Sequence, residues 1–238
     1  PNETASGVIE TLHKSGLIRS RLASLIYVKF SGIDKKIKPG VYQLSPDLDL
    51  PKVLAEITQG PKDIKITLPE GWRREQIAAR LRANLASFDP AEFMSGTASL
   101  EGQLFPDTYL FPPSSSASSV IKILVSNFSR KSGLVMPAGY QSLILASLVE
   151  RETKSDPDRA IVAGILLKRL SLGMPLEIDA TVQYARDTAN CKLKIVNCKF
   201  WDPVSDTKFP SIYNTYLHVG LPPAPIANPG VAAIQAVL

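Results

Sequence analysis

Apolar positions along the chain follow a helical period in some stretches and a strict alternation in others. In residues 1–60, Val8, Ile9, Leu12, Leu17 and Ile18 form a helix-like stripe ended near Gly16. Leu22 to Phe30 is dense in Leu, Ile, Tyr and Val. Pro39 and Gly40 signal a turn, Val41 to Leu44 alternates as a strand would, and Leu50 to Ile57 reads as a short helix closed by Gly60. Short helices and strands are therefore expected in this first segment.

Ile64 to Leu68 alternates Ile, Lys, Ile, Thr, Leu and predicts a half-buried strand. Pro69, Glu70 and Gly71 turn the chain into a helix whose apolar face is Ile77, Ala78, Leu81 and Leu85. The spacing of Pro1, Ile9 and Leu17 recurs at Pro69, Ile77 and Leu85, which fits a small βαβ module used twice. Residues 104–119 read as a loop, with Pro106, Pro112, Pro113 and a run of Ser from Ser114 to Ser116. Helices are predicted over 120–128, 142–153 and 157–172. The last has Ser155 and Asp158 as a capping box, Pro157 in its first turn and Gly173 as its stop. Asp179 to Tyr184 alternates, so a strand face would present Asp179, Thr181 and Gln183 together. Residues 186–210 look irregular, and a final helix starts near Gly230. The fold class is α+β.

The chain has 238 residues, 45% hydrophobic and 21% charged, which is ordinary globular usage and argues against disorder. Its net charge of +5 comes without any dense basic run interleaved with aromatics, so no nucleic-acid partner is expected. The longest apolar stretch, residues 160–167, is too short for the roughly 20 residues that span a bilayer. The chain opens at Pro1 without an initiating Met, as if cut from something longer.

Candidate chemistry narrows quickly. Cys191 and Cys198 exclude a disulfide scaffold and a zinc site built from Cys alone, and His13 and His218 cannot form a His-rich metal site. No metal and no cofactor is expected. A nucleophile elbow, a Walker A loop and a dinucleotide fingerprint are all missing from the sequence. The two cysteines are spaced compatibly with a hairpin disulfide. Glu150, by contrast, follows the apolar run Leu143 to Val149 and lies one turn from Ala146 and Ser147. A carboxyl beside a buried stripe loses hydration and gains proton affinity, as a general acid needs. Glu152, about 200° further round, points elsewhere. The alternative is a solvated acidic helix end paired with Arg151, Lys154 and Arg159. Asp179, Thr181 and Gln183 suit hydroxyl-rich ligands, and so do Tyr213, Asn214 and Tyr216, in which rings flank an amide. The alternatives are a wet edge strand and a structural loop.

Together these strings resemble the YceG-like family of endolytic murein transglycosylases (MltG). The matching residues are Leu145 to Thr153, Asp179 to Tyr184, Tyr213 to Tyr216, Gly220 to Pro223 and Asn228 to Gly230. Upstream, Gly16 to Ser20, Gly40 to Tyr42, Leu68 to Gly71, Glu101 with Gly102, and Leu104 to Tyr109 match in the same order. The resemblance implies small LysM-like βα modules followed by a mixed helical and strand catalytic domain. The expected divisions are a membrane-proximal module over 1–62, a LysM-like substrate-binding module over 63–100, and a catalytic domain over 101–238, truncated at its C-terminus. Pro222, Pro223 and Ala224 replace the family's usual Pro-Pro-Gly, and 186–210 matches nothing in the pattern.

The resemblance implies a lytic transglycosylase that cuts the MurNAc–GlcNAc β-1,4 bond of nascent strands, leaves 1,6-anhydroMurNAc ends and terminates elongation. It makes Glu150 the catalytic acid. Asn214, Gln183, Tyr216, Thr181, Asp179, Glu152, Tyr213 and Asp107 are the substrate-binding candidates. Expected partners are peptidoglycan strands, penicillin-binding proteins and other wall-synthesis proteins. A single N-terminal membrane anchor would precede this chain and place it on the outer side of the bacterial inner membrane. The competing readings are a non-catalytic peptidoglycan-binding or scaffolding protein, and a hydrolase using Asp107 or Asp179 as second carboxylate.

Overall fold

The computed structural model describes residues 4–40, 42, 44–191 and 198–238. It is mostly helical with one two-stranded sheet, and the chain divides into two units. The first comprises residues 1–64, 85–87 and 110–115; the second comprises 65–84, 88–109 and 116–238. No helix among the described residues is long and apolar enough to cross a membrane.

In the first unit, α1 (Ala5–Lys14), α2 (Arg21–Phe30) and α3 (Leu50–Gln59) start where side-chain oxygens take up free N–H groups. Thr4 accepts from Gly7, Ser20 from Ala23 and Asp49 from Lys52. Ile9, Leu12, Ile18, Val28, Val53, Leu54 and Ile57 form the core. The apolar segment from Leu22 to Phe30 is helix α2. It leaves Leu22, Ile26 and Phe30 exposed while Ser24 and Val28 face inward. Of the strand expected at Val41 to Leu44, Val41 and Gln43 lie outside the described residues. Tyr42 donates its hydroxyl to the Lys38 carbonyl at 2.6 Å. The described part of this unit is helical up to β1, so the echo at Pro69 does not extend to topology; Pro1 also lies outside the described residues.

β1 (Ile64–Leu68), which belongs to the second unit from Lys65 on, buries Ile66 and Leu68 and exposes Lys65 and Thr67, as its alternation predicts. It pairs with β2 (Asp107–Phe111), which corrects the loop expected there. Prolines bracket those five residues and mask a strand whose own burial alternates. Thr67 and Thr108 share a 2.9 Å hydroxyl contact across the pair.

The helices follow as α4 (Arg74–Asn84), α5 (Pro90–Gly96), α6 (Ala117–Lys131), α7 (Tyr140–Glu152), α8 (Asp156–Ser171), α9 (Asp179–Cys191) and α10 (Val231–Ala236). Ser155 sits at the cap of α8 but makes no capping bond; its own N–H donates to Thr153 Oγ1. The expected capping box is therefore absent.

Helix α9 corrects a second expectation. Asp179, Thr181 and Gln183 mimic a period of two over three positions only. Burial instead falls at Ala180, Thr181, Val182, Tyr184 and Ala185, the i, i+4 set of a helix. Leu145, Leu148 and Val149 of α7 pack with Ala163 and Leu166 of α8, Ala180 and Tyr184 of α9 and Ala233 of α10. Cys191 and Cys198 are joined as a disulfide.

At the entry to α4, Arg73 is completely buried. Its Nε pairs with Glu75, Nη1 donates to the Tyr184 carbonyl and Nη2 to Thr188 Oγ1, and its guanidinium lies 4.2 Å over the Tyr184 ring. Phe200, just beyond the disulfide, covers the same group at 5.1 Å.

Candidate active site

Helix α7 is buried continuously from Leu143 to Val149, and this places Glu150 at the inner end of an apolar column with 8% of its surface exposed. Two donors meet its carboxyl group. Arg159 Nη2 lies 3.2 Å from Oε1, and the Gly230 backbone N–H donates to Oε2 at 2.9 Å. Both expectations are met in part: the group is desolvated, and it is paired with Arg159. Desolvation raises the proton affinity of Glu150. The Gly230 bond and Arg159 oppose that, the Glu70 carboxylate adds to it, and the net direction is upward.

Glu70 is the residue that the sequence did not single out. It stands in the turn between β1 and α4, and its Oε2 is 3.6 Å from the same Arg159 Nη2. Gly71, at φ +72°, lets this turn run beside Glu150; a Cβ there would lie 3.5 Å from Glu150 Cγ. Arg159 also pairs through Nη1 with Asp156, while its Nε has no hydrogen-bond partner among the described residues. The only sequence signal for Glu70 is an acidic residue at a strand-to-helix turn.

Gly230 is held in place by Asn228. Asn228 Oδ1 accepts from the Leu104 N–H, and Nδ2 donates to the Trp72 carbonyl and to Glu101. The Asn228 backbone bonds both Gly71 and Trp72. The same segment thus fixes the turn bearing Glu70 and delivers the N–H that meets Glu150.

Burial, with the Glu75 carboxylate, pushes Glu101 up to about 8. The folded state then holds this proton more tightly than the unfolded chain. The stability this group contributes is full below the ordinary carboxylate range and is lost as pH rises from about 4.5 toward 8. Glu101→Gln keeps an acceptor for Arg74 and Asn228 without titrating. Its unfolding free energy should fall less than the parent's between pH 5 and 8 in urea denaturation. Parallel curves would remove Glu101 as the cause.

The remaining candidates separate into groups. Tyr216 donates to Asp179 Oδ1 at 2.7 Å. Desolvation and the Asp179 charge push Glu152 upward against the pull of Arg151, so Glu152, Asp179 and Tyr216 form one cluster. Gln183 is half-buried on α9. Thr181 is fully buried and engages Thr215 Oγ1 and the Ile178 carbonyl. Asn214 is also fully buried; its amide donates to Thr207 and Phe209 carbonyls and accepts from Tyr216 N. Tyr213 packs its ring 4.9 Å from that of Tyr184. Asp107 pairs with Asn127 and Lys131 of α6 rather than with α7. The second carboxylate beside Glu150 is therefore Glu70, not Asp107 or Asp179.

A protein named endolytic murein transglycosylase from Bacillus subtilis (strain 168) is 28% identical over 99% of this chain and 72% of its own length. One of the same name from Streptococcus pneumoniae (strain ATCC BAA-255 / R6) is 27% identical over 94% of this chain, which spans about half the length of that relative. A crystal structure of a yceG-like protein from Listeria monocytogenes superposes with a TM-score of 0.62 at 25% identity, covering 99% of this chain and 86% of that one. The profile of the YceG-like family matches residues 1–238, and the chain belongs to that family.

Proposed function

We propose that this chain carries the reaction centre of an endolytic murein transglycosylase, with Glu150 as acid and then base. The observation that carries this reading is a buried carboxyl provided for in both protonation states. Desolvation favours the neutral acid; the Gly230 N–H and Arg159 receive the carboxylate. Protonated Glu150 gives its proton to the O4 leaving oxygen as the C1–O4 bond breaks. The carboxylate so formed takes the proton from the C6 hydroxyl while O6 bonds to C1 and closes the 1,6-anhydro ring. No water is consumed, so the two-carboxylate requirement of glycoside hydrolysis does not apply. The neighbouring acetamido group supports the oxocarbenium-like charge.

Glu152, Asp179 and Tyr216 offer a polar cluster that suits sugar hydroxyls, with Gln183 on the same helix as Asp179. Tyr213, Asn214 and Thr181 support the loop that bears Tyr216, and Asp107 braces β2. The LysM-like glycan-binding role of residues 63–100, the membrane-proximal role of 1–62, an N-terminal anchor and penicillin-binding partners belong to the same reading. The disulfide suits the oxidising outer side of a membrane. Digestion of purified peptidoglycan followed by mass spectrometry tests the reaction. Anhydro-muropeptides are the expected product. New reducing ends would instead identify a hydrolase, and binding without cleavage a scaffold.

A further inference from the structure

Among the described residues, Arg159 is the one cation in direct contact with Glu150, and it is shared. Its Nη2 lies between Glu150 Oε1 at 3.2 Å and Glu70 Oε2 at 3.6 Å, and its Nη1 pairs with Asp156. Three carboxyl groups on one guanidinium leave an excess of negative charge. Asp156 and Glu70 have much of their side chains in water, whereas Glu150 is nearly sealed. Of the three, Glu150 is the one that burial desolvates, and desolvation favours its neutral form.

The position of Glu70 is built by a second element. The Glu70 carboxylate occupies the space that a Cβ would take at residue 230, and all three atoms nearest that space belong to it. Gly230 has φ −78°, an ordinary value for any residue, so backbone strain does not call for glycine here. The room taken up by Glu70 does.

We propose that Glu70 is a positioning residue of this centre: it competes with Glu150 for Arg159, and residue 230 is glycine so that the Glu70 carboxylate can reach that guanidinium. This inference rests on Glu150 being the acid. Glu70 acts through Arg159 and through its own charge, and both effects have the same sign. With Glu70 in place, the carboxylate form of Glu150 faces a like charge and only part of a cation, so the proton stays. Among the described residues, the other charged groups around Glu150 are Arg159 of α8, which also holds Asp156, and Arg151 of its own helix, while Gly230, the residue capping α10, contributes its N–H.

The test uses two variants and two readouts. Glu70→Gln removes the charge; Gly230→Ala keeps it, keeps the N–H to Glu150, and displaces the carboxylate from Arg159. The Glu150 side-chain resonance, assigned by its loss in Glu150→Gln, is followed by carbon-13 NMR across pH in the whole chain. Both variants should move its midpoint to lower pH. The double variant should move it no further than Glu70→Gln alone, because both changes break one contact. In peptidoglycan digestion, the alkaline limb of the pH–rate profile should move to lower pH for Glu70→Gln, with the rate on that limb falling about threefold.

An unchanged or raised midpoint in both variants overturns the proposal, and so does a uniform loss of rate with the parent's pH profile. A parent that yields no anhydro product, together with the downward NMR shift, overturns the transglycosylase reading and leaves the role of Glu70 standing.

Discussion

Glu150→Gln folds and loses anhydro-muropeptide formation by about 10²- to 10⁴-fold, the range that one general acid–base group supplies. The amide fills the same volume but has no proton to give and cannot later accept one. The replacement is not neutral for the structure. Glu150 receives two donors, Arg159 Nη2 on Oε1 and Gly230 N–H on Oε2. A Gln presents one oxygen, so whichever way it turns, one of those donors faces an NH₂ group. Loss of that bond in a buried site costs about 1–2 kcal/mol. For a chain of this size that lowers Tm by roughly 2–8 °C. The variant should therefore be assayed well below its own transition, with circular dichroism confirming its helices. Parent-like product yield from Glu150→Gln would remove Glu150 as the acid. Product lost while peptidoglycan is still pulled down would separate chemistry from binding.

Arg73→Ala is expected to lower stability by about 3–5 kcal/mol. Arg73 has no exposed surface, and each end of its guanidinium has a defined partner: Glu75, the Tyr184 carbonyl and Thr188. Its plane is covered by Tyr184 and Phe200. Truncation leaves a cavity among rings, takes one donor from the Tyr184 carbonyl, which keeps Thr188 Oγ1, and removes the nearer cation from a Glu75 carboxylate that is only 15% exposed and keeps Arg74 at 3.7 Å. Arg73→Met refills the volume without the charge and should cost less. Urea denaturation of both variants decides the matter. A loss under about 1 kcal/mol for Arg73→Ala would mean that the ring stack closes over the gap and the ion pair contributes little.

Much of this architecture was legible because it depends on short-range periodicity. The alternation of Ile64 to Leu68 marked β1, and the apolar run before Glu150 marked both α7 and the desolvated carboxyl group at its end. Strand β2 was hidden because Pro106 and Pro112 fall on either side of it, where turn chemistry dominates the local pattern. Asp179, Thr181 and Gln183 alternate too briefly to distinguish a period of 2 from 3.6, and the helix is revealed only by Ala180, Tyr184 and Ala185 packing inward.

The finer anatomy of the site was less legible. Residue type correctly marked Asn214 and Thr181 as hydrogen-bonding groups, but tertiary burial decides that they bond the chain itself. Glu70 carries no local mark because its role arises from Arg159 and Gly230, which lie far along the chain. The spacing of Cys191 and Cys198 allowed a disulfide, and the structure forms it.

The Asn228 segment has a consequence for how the protein is made. The backbone donor of Glu150 is 80 residues downstream of it, and Asn228 reaches a carbonyl 156 residues upstream. A ribosome delivers Glu150, Arg159 and Glu70 long before it delivers residue 230. Until then the turn bearing Glu70 has no Asn228 to bond, and the acid has no backbone donor. Assembly of the centre is therefore a late, long-range closure, slower than the formation of its helices. The contacts that complete the proposed centre are the last of its parts to be synthesised.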